Sequence, residues 1–399
     1  MVVFSQREGD YALHVALHRF LGRYPRAYHL SLGVALCFFV SMHLLVAPIP
    51  LYVTHLGGGA VAVGLAGGLF AGVALLARAP VGWLSDRVRR WWLLLAGCGI
   101  YLAASLAYLA VSTVPAVLVV RALHGVGISA FTTGYTALAA DLAPSGRRGE
   151  ALGLAGTAGP VSLLFAPAVG DWVRLHLGYG PAFLLAAAAA LGGIALLLLL
   201  PRGSGHAPEI STLLPPGERT RRRDLHLSVV FGLATCGITY SALYGFLPAF
   251  AVERDQNTVG FFFVAFAGAL IGARVLLGRA SDRWGRRLVI VPALAVMAFS
   301  LWVVAATQNW MWLVAAGLLA GMGQGAARAV LEAAAVDGVE AGRRGRALNA
   351  SWLGFDLGIT LGSLAWGPVA EALGYGPMFG VVGAVGFLFV AAFTVWYRG

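Results

Sequence analysis

The groups able to do chemistry in this sequence are few, and most of them are charges set inside long apolar stretches. Asp356 lies in Trp352-Leu-Gly-Phe-Asp356-Leu-Gly, Arg121 in Val117-Leu-Val-Val-Arg121-Ala-Leu, Arg328 and Glu332 in Gln324-Gly-Ala-Ala-Arg328-Ala-Val-Leu-Glu332, and His43 in Val40-Ser-Met-His43-Leu-Leu. A charge surrounded by hydrocarbon is costly, so each of these is a functional candidate by default. A low-dielectric setting favours the protonated form of a carboxyl, which suits Asp356 to load and release a proton; the alternative at this point is a permanent ion pair with an arginine of a neighbouring helix. Arg121 is a fixed cation that would tune a nearby acid. His43 is a second proton candidate, because imidazole titrates near neutral pH. Arg328 and Glu332, four apart, share a helix face and can pair within one helix. Arg78 and Arg274 fall close to helix ends, where snorkelling toward water is the expected role.

The elements that must position these groups follow from composition. Of 399 residues, 59% are apolar or aromatic and 11% charged, with a mean hydropathy of +0.81. A soluble chain carries roughly a quarter charged residues, so this one is of the membrane class. Apolar stretches of roughly 20 residues cross the bilayer core. They place twelve helices at about 28–53, 60–81, 91–112, 115–140, 149–171, 178–200, 226–251, 258–277, 287–307, 310–336, 346–370 and 374–397. An all-α polytopic membrane protein is expected: an N-terminal tail over 1–27 containing a short interfacial helix or a solvated arm, a six-helix bundle over 28–200, a polar linker over 201–225, and a second bundle over 226–399.

All 28 basic residues are arginine: 22 fall in the tails and the loops after even-numbered spans, two (Arg174 and Arg254) in the opposite loops, and four within spans. By the positive-inside rule the arginine-rich side and both termini face the cytoplasm, as in a bacterial inner membrane. The formal net charge of +11 is thereby a matter of topology, and no nucleic-acid partner is expected. Cys37, Cys98 and Cys236 are far apart in apolar runs and imply neither a disulfide framework nor a metal site.

The two halves repeat at an offset of 196. Arg78, Gly82, Ser85, Asp86, Arg87 and Arg90 recur as Arg274, Gly278, Ser281, Asp282, Arg283 and Arg286; Gly125 and Gly127 recur as Gly321 and Gly323; Asp141 recurs as Asp337; Leu177-Gly-Tyr-Gly-Pro181 recurs as Leu373-Gly-Tyr-Gly-Pro377. Two duplicated bundles around a midplane site are what alternating access requires. With the loop signature Gly82-Trp-Leu-Ser-Asp86-Arg87-Val-Arg89-Arg90 and its second copy Gly278-Arg-Ala-Ser-Asp282-Arg283-Trp-Gly285-Arg286, the sequence resembles the major facilitator superfamily of secondary transporters over about 28–397. Arg89 stands where the second copy has Gly285, so the two turns should differ.

That resemblance implies gating by the signature loops. Gly82 and Gly278 would permit close backbone approach. Asp86 would dock on the start of the eleventh span near Gly345, and Asp282 on the start of the fifth near Gly149. It also implies that spans one, four, seven and ten line the cavity, which would put His43, Thr132, Thr133, Thr239, Tyr240, Tyr244, Gln324 and Arg328 within reach of substrate. Arg121 with Gly125 and Gly127 is similar to an element of proton-linked antiporters. The fifth span ends Phe165-Ala-Pro167-Ala-Val-Gly170-Asp171, related to a Gly-Pro-rich antiporter segment but with Ala166 and Asp171 where glycine is usual.

No phosphate-binding loop, metal-ligand cluster or nucleophile elbow is present in the sequence, so ATP-driven transport has no engine here and no cofactor beyond a proton gradient is expected. Proton-coupled efflux of a small amphiphilic molecule by a chain working as a monomer is the first expectation. Proton-coupled uptake or uniport of a sugar, organic anion or other metabolite is the alternative; an intramembrane enzyme or a channel is remote. The first span has no acid, which speaks against cation export, while Arg121 and Arg328 would admit a substrate bearing an anionic group.

Overall fold

A computed structural model describes residues 24–144, 146–203, 227–256, 259–337, 339 and 344–397. Most of the tail expected to hold an interfacial helix or a solvated arm, and most of the linker, lie outside these residues, as do the side chains of Arg279, Asp282 and residues 344–351. The described residues form helices and connecting turns. In the N-terminal half these are α1 (Arg26–Leu44), α2 (Pro48–His55), α3 (Ala60–Ser85), α4 (Arg90–Ala107), α5 (Val114–Asp141), α6 (Arg148–Ala155), α7 (Ala158–Leu163), α8 (Ala166–Leu177) and α9 (Tyr179–Leu198). In the C-terminal half they are α10 (Leu227–Glu253), α11 (Val259–Trp284), α12 (Arg286–Ala305), α13 (Trp310–Ala334), α14 (Arg344–Leu373) and α15 (Tyr375–Trp396).

These helices make the twelve expected spans. Two spans are broken. The first divides into α1 and α2 just before Pro48, and the fifth into α6, α7 and α8, with Pro160 in α7 and Pro167 at the start of α8. Proline lacks the N–H that continues an α-helix and crowds the preceding turn, so breaks fall beside it. Among the described residues eleven spans are long and apolar enough to cross a membrane. The remaining span, α14, is 30 residues long and is made more polar by Asp356, Thr360, Ser363 and Glu371. Leu76 and Val395 are 76% and 81% exposed, which places apolar side chains on the outward faces where lipid would meet them.

Each half repeats one packing scheme. In the first, α5 lies against α3 and α4; in the second, α13 lies against α11 and α12. The repeated glycines permit it: a Cβ on Gly125 would collide with the Phe70 carbonyl of α3, and one on Gly321 with the Phe266 carbonyl of α11, the same contact 196 residues on. Small residues at a membrane helix interface let backbones approach where lipid supplies no hydrophobic drive.

The two signature turns differ as expected from Arg89 and Gly285. α11 runs to Trp284 and turns on Gly285 alone, at φ 90°, a left-handed conformation that favours glycine. The first copy ends its helix at Ser85, and Arg89 is extended at φ −61°. Gly82 and Gly278 do not mark close approaches in this conformation, because a Cβ on either would meet nothing within 4 Å.

The halves touch chiefly along α3 and α14, with further contacts of α10 on α2 and α3 and of α11 on α7 and α8. At one end the seam is tight. The Gly64 position faces the Ser363 carbonyl, Gly260 lies on Ala168, and Glu371 Oε2 accepts a 2.9 Å hydrogen bond from the backbone N–H of Val61 at the start of α3. The seam continues to Arg78 and Asp356. Beyond them, toward the arginine-rich rim, Asp86, Arg87 and Arg89 are exposed, and no hydrogen bond or ion pair joins the halves among the described residues.

Candidate functional site

Asp356 does not stand alone in the membrane. Arg78 reaches across from the other half and donates from Nε (2.7 Å) and Nη2 (2.6 Å) to Asp356 Oδ2. Arg78, expected to snorkel, is thus turned inward. The C-terminal half handles its equivalent arginine differently. Arg274 Nη2 meets Glu332 Oε2 at 2.7 Å, and Arg328 Nε donates to Glu332 Oε1 at 2.8 Å, so one carboxylate bridges two guanidiniums. The repeat explains the asymmetry. The positions equivalent to Glu332 and Asp356 in the first half are Thr136 and Pro160, so Arg78 has no such acid in its own bundle, while Arg274 has Glu332 on α13. The within-helix pairing expected for Arg328 and Glu332 is present, with Arg274 as an additional member.

Arg121 is held by neutral groups. Its Nε donates to the Ala66 carbonyl at 3.3 Å, and its guanidinium lies 4.3 Å from the centre of the Phe70 ring. Among the described residues no carboxylate lies within 4 Å of it. Arg121 lines a recess between the halves, beneath the tight seam, together with Met42, Val46 and Ile49 of the first span and Tyr244 of α10. An aromatic strip leads away from it: Tyr244 and Tyr240 are 5.3 Å apart, Tyr240 and Phe355 5.9 Å, and Arg328 sits 4.4 Å over Phe355.

The other expected cavity residues divide. Tyr240 and Tyr244 are half-buried along this strip, and Thr132 and Thr133 are half-buried on α5, with Thr132 bonded to its own helix at Ile128. Thr239 is turned into the C-terminal bundle, where its hydroxyl bonds the Thr235 carbonyl and approaches Met297; it is 2% exposed and stands away from the cavity because it packs against α12. Gln324 is 1% exposed, with its Oε1 unpartnered. His43 is buried between α1 and α7, its Nδ1 2.6 Å from Ser162 Oγ. The Ser162 hydroxyl donates to the Gly159 carbonyl, so His43 Nδ1 is the donor in their bond.

The signature arginines act within each half. Arg90 bonds Ser85 and lies 3.7 Å from Asp141 at the end of α5; Arg286 bonds Ser281 and lies 3.1 Å from Asp337 just past α13. These clamps fix each loop to its own bundle. Arg87 folds back over the Trp83 ring, and Arg283 is exposed. Asp86, expected to dock on the start of α14, is exposed at the C-cap of α3, and the side chains at the start of α14 lie outside those described. The Asp282 side chain lies outside those described. Sequence reasoning missed the pairing of Arg78 and the carboxylate of Glu371; comparing Glu332 and Asp356 with Thr136 and Pro160 would have pointed to the first.

Two bundles of common ancestry, a closed end and a charged midplane recess define a transporter architecture. A family model, the Major Facilitator Superfamily, matches residues 30–257 and 229–399, and the chain belongs to that family. An uncharacterized MFS-type transporter of Methanocaldococcus jannaschii is 25% identical over 347 residues, 84% of this chain and 89% of that one. Another from Mycobacterium tuberculosis is 26% identical over 341 residues, 78% of each. Among solved structures, a POT family transporter has a TM-score of 0.78 at 13% identity, covering 93% of this chain and 96% of that one. The nucleoside transporter NupG has 0.71 at 14%, covering 92% and 100%. The fold is therefore the MFS fold, and the chain is an integral membrane secondary transporter of the MFS type.

Proposed function

We propose that this chain is a proton-coupled exporter of a small amphiphilic molecule, working as a monomer by alternating access in a bacterial inner membrane, with Asp356 as the proton carrier. The observation that carries the reading is the Arg78–Asp356 pair, which joins the two halves at the far end of the seam from the Glu371 contact. With the arginine-rich side assigned to the cytoplasm, the tight end of the seam is the outer one, and we read the conformation as inward-facing. A proton on Asp356 cancels the charge that holds Arg78, so α3 and α14 can part; the rim then closes, and Asp86 becomes free to meet the start of α14. Glu332 is tied to two arginines and His43 to Ser162, which makes them weaker coupling groups than Asp356. Export is supported by the fifth span, whose breaks and whose Gly170, packed on the Leu44 backbone, shape the closed end. Arg121 favours a second reading, proton-coupled uptake of an organic anion, since an anion and a proton travelling together carry no net charge.

The test is proton flux into dye-loaded proteoliposomes on addition of drugs, sugars or organic acids, comparing wild type with Asp356→Asn. Ligand-triggered flux lost in the variant supports the coupling, and its sign against the imposed gradient separates export from uptake. Substrate movement without a proton signal, or an active variant, removes Asp356 from the mechanism.

A further inference from the structure

We infer that the Arg121 recess is the site for the oxyanion head of a flat, aromatic monoanion. This rests on the transporter reading and names its substrate class. Three of the four arginines inside the spans meet a carboxylate: Arg78 meets Asp356, and Arg274 and Arg328 share Glu332. Arg121 has a carbonyl and a ring face, neither of which carries charge. A guanidinium presents five N–H donors in a planar fork suited to a carboxylate or sulfonate. Taking a cation out of water is costly without an opposite charge, and among the described residues no carboxylate lies within 4 Å of Arg121.

The remaining walls describe the rest of the ligand. Met42, Val46 and Ile49 are apolar, and Tyr244 opens the aromatic strip toward Tyr240 and Phe355. An apolar body with one edge in the recess would therefore stack along the tyrosines, while its head meets Arg121. A single unmatched cation at the recess selects one negative charge. A cationic amphiphile would bring like charge to Arg121, and a sugar would leave the apolar walls unmatched. The recess takes residues from both halves, Tyr244 and Gly245 from α10 and the others from the N-terminal bundle, so a bound anion would touch both bodies that must move.

The experiment is thermal stabilisation and equilibrium binding of the purified full chain in nanodiscs. The probes are benzoate, 1-naphthoate, indole-3-acetate and 1-naphthalenesulfonate, each against its neutral amide, with 1-naphthylmethylamine as the cation. At least one anion should stabilise the protein, and its amide and the amine should not. Arg121→Gln should weaken that anion about tenfold to a hundredfold, the range for one charge-assisted hydrogen bond. Arg121→Lys, which keeps the charge but loses the fork, should bind more weakly than wild type yet still prefer anion to amide. Equal binding of amide and anion, undiminished binding in Arg121→Gln that elutes as a folded monodisperse species, or no stabilisation by any anion would overturn the assignment. Counterflow of the same compounds in proteoliposomes separates the two levels. Counterflow of a neutral or cationic compound independent of Arg121 refutes the anion site but keeps the transporter, whereas Arg121-dependent binding with no counterflow keeps the site and refutes transport.

Discussion

Replacing Asp356 by asparagine should shift the balance between the inward-open conformation and its alternate by about one order of magnitude. The pair it removes has N–O distances of 2.6 and 2.7 Å and side-chain exposures of 31% for Arg78 and 18% for Asp356. Breaking a buried pair leaves a stranded charge and costs about 3–5 kcal/mol, while exposed pairs are worth about 0–1 kcal/mol. Arg78 is already partly exposed and regains water when released, which places this pair between the limits, at about 1.5–2 kcal/mol, or roughly ten- to thirtyfold in an equilibrium. The readout is the distance distribution between spin labels at Leu84→Cys and Trp284→Cys, two exposed positions near the arginine-rich rim on α3 and α11, with Cys37, Cys98 and Cys236 replaced. Arg78→Gln should move the ratio of the two populations the same way, and the exchange Arg78→Asp with Asp356→Arg should recover most of it. The groups facing Asp356 are Arg78 and Arg328, both cations, so protonating the carboxyl weakens the same contacts. Lowering pH should therefore push wild type toward the Asp356→Asn ratio and move the variant less than wild type. An unchanged ratio in Asp356→Asn, or an equal shift in Asp141→Asn, whose clamp lies within one half, would refute the reasoning.

Further outcomes follow from the seam and the bundles. Glu371→Gln weakens the carboxylate that caps α3 from the opposite half; an N-terminal anion is worth about 0.3–1 kcal/mol, so thiol labelling of Ala60→Cys, a buried position at the start of α3, should rise a few-fold with inward-open rim distances less populated. Unchanged labelling would show that the contact does not hold the closed end. Gly321→Ala places a methyl against the Phe266 carbonyl and should destabilise the protein by about 1–3 kcal/mol, read as a fall in melting temperature, whereas Gly272→Ala, which meets nothing within 4 Å, should fall by far less.

The sequence by itself determined the class, the twelve spans and the duplication. Hydrocarbon demands that backbone polar groups be satisfied internally, which a helix does within one apolar segment, so each span is written into local composition, and the register of 196 is visible without coordinates. It also marked Asp356, Arg121, Arg328 and Glu332, because a charge in an apolar run stands out against any neighbour. What each charge faces was decided only by the tertiary structure. Asp356 is 278 residues from Arg78, and their meeting depends on how α3 crosses α14 between two bundles. Thr239 and Tyr240 are adjacent on α10, yet one packs into the bundle and the other joins the aromatic strip, a choice set by the rotation of that helix. Helical period fixes which residues share a face, but the packing of neighbours fixes where that face looks. Arg121 likewise reads as one more arginine until the acids are seen to be taken by others.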